Sequence, residues 1–143
     1  MRRAVAIMLL TILILSGCGN PDQKLRSAAA QSARSAASEV STTRLAVEQL
    51  RAQHLWTRSA GQIVKDAEKG VEAAASSFSA QQPSTPTSTH LYEQVTKTLD
   101  DAQTAVTAVR IALGNDDLAA AEQQLPALRQ SATDLSRIGE LAQ

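Results

Sequence analysis

At 143 residues the chain is long enough for one domain with its own core and too short for two of ordinary size. Fourteen Lys and Arg balance fourteen Asp and Glu, so the overall charge gives no pull toward nucleic acid or an anionic membrane surface. Aromatic residues make up 2 % of the chain, which removes the stacking platforms that single-stranded nucleic acid needs, while abundant Ala, Leu, Gln and Arg favour helix over sheet.

The first predicted element is an address. Arg2 and Arg3 form a positive start and Ala4 to Leu15 an apolar run. That run is too short to cross a bilayer core as a helix, which takes roughly 20 residues, and it fits a secretory signal better. The pattern around the two arginines is a poor match to a twin-arginine signal. Leu15, Ser16, Gly17 and Cys18 then resemble the lipobox of bacterial lipoproteins: a leucine, two small residues and a cysteine. The resemblance covers about the first twenty residues, and all four of its positions match. It implies cleavage between Gly17 and Cys18 and transfer of a diacylglyceryl group to the Cys18 thiol. Residues 1–17 are then a removable signal peptide and 18–21 a tether. Two or three acyl chains hold a protein stably, each buried methylene adding about 0.8 kcal/mol, so the mature chain is expected on the extracytoplasmic face of a cell membrane. A disulfide is no rival, because Cys18 is the sole cysteine.

Residues 22–143 read as one helical domain. Asn20 is placed to cap a helix, Pro21 suits its first position, and Gln23 completes a capping-box arrangement. From Asp22 to Phe78 there is no proline. The first part is Ala- and Ser-rich, with Leu25, Val40 and Leu45 its only larger apolar side chains, and it reads either as a close helix-on-helix seam or as a spacer off the membrane. The second part carries an apolar stripe of Trp56, Ala60, Ile63, Ala67, Val71, Ala74 and Phe78. Ser59 and Gln62 form a further capping arrangement, which leaves open a continuous rod or a kink near Arg58 to Gly61.

Ser79 to Thr89, with two prolines among Ser and Thr, reads as a loop whose hydroxyls are solvated or available to O-linked sugars. With Ser88 or Thr89 as cap, Leu91, Val95, Leu99, Ala102, Val106, Val109 and Leu113 define a helix of about 24 residues. Gly114 suits the left-handed position that ends it, and Asn115 or Asp116 can cap the next helix. So short a link forces an antiparallel hairpin. The last stripe, Leu118, Ala121, Leu125, Leu128, Ala132, Leu135 and Ile138, is close to a coiled-coil heptad pattern and is interrupted by Pro126, which should kink it. The fold class that follows is all-α, an antiparallel bundle of three to four helices with ion pairs such as Glu93 with Lys97 on its surface.

Site chemistry is missing where it would be sought. Neither Gly-x-Ser-x-Gly nor Ser-x-x-Lys occurs, and there is no glycine-rich phosphate loop. His54 and His90 are far apart in sequence, so no metal site is expected, and the pairs Asp100 with Asp101 and Asp116 with Asp117 point in different directions on a helix. Trp56, through its place in the stripe, reads as core, with a partner or lipid anchor as the other use. Charge is uneven: residues 22–69 hold eight basic and five acidic side chains, and residues 70–143 four and nine. Such halves attract each other in the fold or steer separate partners.

The expectation is therefore a non-enzymatic, lipid-anchored envelope protein without a cofactor beyond its covalent lipid. Its partners are the membrane and an envelope protein or a second copy, with no nucleic acid. The alternative is a carrier or sensor of an apolar ligand held near Pro126, Trp56 and Phe78. The Ala- and Ser-rich helix bears a loose likeness to murein-lipoprotein-type proteins. The chain ends in Leu141, Ala142 and Gln143 without that family's terminal lysine, so covalent wall linkage is not implied.

Overall fold

A computed structural model describes residues 20–142. The helices are α1 (Pro21–Arg51), α2 (Thr57–Ser79), α3 (Pro86–Gly114), α4 (Leu118–Gln123) and α5 (Leu125–Leu141). They form an antiparallel four-helix bundle, all-α as the sequence requires, in which α4 and α5 share the fourth position. In the order α1, α2, α3, α5 each packs on the next and α5 closes on α1, while α1 and α3 also touch across the middle.

The start of α1 follows its sequence. The Asn20 side chain accepts the Asp22 N–H at 3.1 Å and Pro21 occupies the first turn. The cap bond goes to Asp22, so Gln23 does not complete a capping box. The helix then runs for 31 residues. Its Ala-rich half is the close seam and not a loose spacer: Ala29, Ala33 and Ala36 are 0 % exposed. Methyl groups let neighbouring backbones approach, and α5 lies against this stretch with Gly139, where a Cβ would come within 3.0 Å of Arg34 Cγ. Gly70 of α2 plays the same part under Glu39, whose side-chain carbons would lie 2.7 Å from a Cβ there.

The rod is interrupted, but at Ala52 to Trp56; Arg58 to Gly61 lie inside the first turns of α2. The Gln53 N–H donates to Leu50 O at 3.0 Å and the His54 N–H to Gln49 O at 2.9 Å. This pair of bonds is the Schellman pattern, and it puts Gln53 at φ 59 where glycine is usual. The same device ends α3. Asp116 and Asp117 N–H groups return to Leu113 and Ala112 O at 3.2 and 2.9 Å, and Asp116 sits at φ 56. Gly114 thus stays helical, and Asp117, not Asn115 or Asp116, caps α4 through a bond from the Ala120 N–H.

The loop between α2 and α3 is shorter than its composition suggests, because Pro86 opens α3 and Thr85, not Ser88 or Thr89, is the cap. Pro126 falls where α4 gives way to α5, with Gln124 the only residue between them. The core is filled by Phe78, Leu99, Leu128, Leu135 and a row of valines, all under 2 % exposed. Trp56 is the exception to its stripe. It stands 84 % exposed as the N-cap residue of α2, and Val64, outside the stripe, takes a core place at 0 %.

Candidate functional site

Cys18 and Gly17, the lipidation and cleavage residues, lie outside the described residues. What is described begins two residues later, at the tether end of the bundle. There the Asp22 carboxylate accepts from Ser84 Oγ at 2.9 Å and from Thr85 Oγ1 at 3.2 Å, which ties the first turn of α1 to the loop before α3. The bond from Ser84, with those from Ser88 and Thr85 beside it, holds this carboxyl below its ordinary range against the opposing effect of burial. Thr85 and Ser88 cap α3 reciprocally, the Ser88 N–H reaching Thr85 Oγ1 at 3.1 Å and the Thr85 N–H reaching Ser88 Oγ at 2.8 Å. Beside this network lies an open cleft of about 300 Å³ lined by Arg26, His90, Leu91, Ile138 and the exposed Leu141.

The opposite end is built by the two Schellman turns. A groove of about 600 Å³ runs between α2 and α3 there, lined by Arg58, Lys65, Lys69 and Arg110 against Glu68 and Asp116. Gly61 and Gly114 also line it, and nothing lies within 4 Å of where their Cβ atoms would be. Glu68 bridges the groove wall: Oε2 pairs with Arg110 Nε at 2.6 Å and Oε1 accepts from Thr107 Oγ1 at 2.7 Å. Burial would raise the Glu68 pKa, yet the hydrogen bond from Thr107 and the paired Arg110 guanidinium outweigh it and hold the carboxyl below its usual value. Lys69 pairs with Asp66 at 3.3 Å. Arg58 and Lys65 form no salt bridge among the described residues.

The remaining sequence candidates are not gathered. His54 sits in the turn after α1 and His90 in the first turn of α3, at opposite ends. Asp101 pairs with Lys97 at 2.6 Å, a bond expected from Glu93, and Asp117 is spent on its cap. Among the described residues no group of three or more His, Cys, Asp or Glu is placed to hold a metal ion, and no helix is long and apolar enough to cross a membrane. Trp56 and Phe78 stand at the two ends of α2, and Phe78 is stacked on half-buried Tyr92 with centroids 5.3 Å apart, so Pro126, Trp56 and Phe78 do not form one site.

Compared with protein-family models, curated proteins and solved structures, the chain matches none.

The groove was not read from sequence, although its signal was present in the basic surplus of residues 22–69. The two ion pairs that cross between the halves, Glu68 with Arg110 and Glu48 with Arg129, draw the acid from the basic half and the base from the acidic half. Among the described residues, therefore, no salt bridge joins a base of the first half to an acid of the second.

Proposed function

We propose that this protein is a lipid-anchored, non-enzymatic helical module of the cell envelope, held at the extracytoplasmic face of a membrane through Cys18 and acting by presenting its surface to another envelope protein. The observation that carries the reading is the run Leu15, Ser16, Gly17, Cys18, which ends two residues before the cap of α1. With Pro21 already in α1, the two residues from Cys18 to the cap Asn20 span at most about 7 Å. The anchor is thus at one end of a bundle whose first helix, at about 1.5 Å per residue, is about 46 Å long, and the turn at Ala52 to Trp56 is the part farthest from it. A bundle that fills its own core with Phe, Leu, Val and Ala has its surface left to act with. Trp56 and Phe78 stand at opposite ends of α2, which supports the surface reading over that of an apolar-ligand carrier.

The test is chemical. Mass spectrometry of the amino-terminal peptide from membrane-extracted protein should show Cys18 as the first residue, carrying diacylglycerol in thioether linkage. Cys18→Ala should leave an uncleaved precursor or release the protein from the membrane. A bare Cys18 thiol, or Cys18→Ala protein that matures and fractionates as the wild type does, overturns the proposal.

A further inference from the structure

We infer that the groove between α2 and α3 at the far end, with exposed Trp56 next to it in the chain, is a docking surface for an acidic amphipathic helix of a partner protein. This deepens the interaction-module reading and rests on it for the identity of the partner as a protein.

Four observations carry it. The first is charge: the groove has four cations against two acids along its walls, and while Lys69 pairs with Asp66 and Arg110 with Glu68, Arg58 and Lys65 form no salt bridge among the described residues. Their spacing of seven residues puts the two heads on one face of α2, about 10 Å apart along its axis. Carboxylates seven residues apart on a second helix have the same spacing. The second is shape. Gly61 and Gly114 remove side chains from the groove, and a helix laid between two others needs such a low floor to approach.

The third is Trp56, which directly precedes the groove residues Thr57 and Arg58 and is 84 % exposed. An exposed Trp beside an Arg is the composition of interface anchors. The fourth is that neither ion pair that crosses between the halves takes up Arg58 or Lys65 of α2, although the chain holds enough acid in its second half to neutralise them. Attraction to an external acid is retained for encounter.

Trp56 is the only tryptophan, so the emission of the intact full-length chain reports this site alone. The purified chain in detergent is titrated with a synthetic helical peptide bearing glutamates at seven-residue spacing and a leucine face. Its lysine counterpart, inorganic polyphosphate and vesicles containing phosphatidylglycerol are titrated in parallel. The glutamate peptide is expected to shift the Trp56 emission to the blue, with an affinity that falls as salt rises. Arg58→Glu with Lys65→Glu, both exposed positions, should weaken it by about tenfold or more while circular dichroism stays unchanged. Lys24→Glu with Arg26→Glu, the same charge change at the tether end, should leave it as in the wild type.

No response to the glutamate peptide overturns the inference. So does equal response to the lysine peptide, equal loss from the tether-end variant, or a response to polyphosphate or vesicles in place of the peptide. Emission is read whatever the state of Cys18. An unmodified thiol would therefore overturn the anchor and leave this measurement standing.

Discussion

Arg34 of α1 caps the carboxyl end of α5: its Nη2 donates to the carbonyl of Gly139 at 3.1 Å across 105 positions of sequence. The carboxyl end of a helix carries partial negative charge, so a guanidinium placed there interacts favourably with the dipole. Gly139 allows the approach, since a Cβ would meet Arg34 Cγ at 3.0 Å. We expect Arg34→Ala to lower stability by about 1 kcal/mol and Gly139→Val to displace Arg34 and cost more, both read from urea unfolding. Equal midpoints for wild type and Arg34→Ala would show that the bond contributes nothing.

The two left-handed residues give a prediction of opposite sign. Gln53 at φ 59 and Asp116 at φ 56 occupy positions that cost an L-residue energy and glycine almost none. Gln53→Gly should raise stability by about 0.5–1 kcal/mol. Asp116→Gly should gain less, because Asp tolerates this region better than Gln. Thermal melts of the two variants, compared with an exposed substitution such as Gln31→Ala, measure the difference.

The alanine seam should resist enlargement. Ala33→Leu inserts three carbons at a position 0 % exposed between closely packed backbones, and about 1–3 kcal/mol or more is expected to be lost. Ala73→Leu on the exposed face of α2 is the control and should be near neutral. Comparable melting of both would mean that α1 is held loosely.

Leu128 is 0 % exposed in α5. Leu128→Ala should cost about 2–5 kcal/mol through the cavity it leaves, and Leu128→Asp should abolish the cooperative transition by burying an unpaired charge. A wild-type melting curve for Leu128→Asp would place the core elsewhere.

Acid should weaken the bundle through carboxyls whose pKa values folding lowers, Asp22 and Glu68 among them. Asp22, held down chiefly by Ser84, and Glu68, held down by Thr107 and Arg110 against burial, both have native pKa values below their ordinary 3.8 and 4.5. Their contribution is complete above those unfolded-state values and is lost as pH falls through the lower native ones. Melting temperature should therefore be flat with respect to these groups above about pH 5.5 and fall below about pH 4.5. Glu68→Gln should flatten part of that fall.

Local rules placed most of the helices. The Asn20–Pro21 start, the stripes of α3 and α5, and the break at Pro126 follow from spacing, caps and the missing N–H of proline, all of which act within a few residues. Two boundaries went astray for one reason. Gln53 and Asp116 take a backbone conformation that sequence assigns to glycine, so the turns fell at Ala52 to Trp56 and at Asp116, away from the nearest glycines.

By itself the sequence determined the all-α class and the apolar faces, because 3.6-residue periodicity and capping are properties of contiguous residues. Tertiary structure alone decided whether the alanines of α1 form a seam, that Trp56 is left in water, and which cations stay unpaired. Each of these depends on what a distant helix brings opposite, and neither Gly139 against Arg34 nor Arg110 against Glu68 has a local signature.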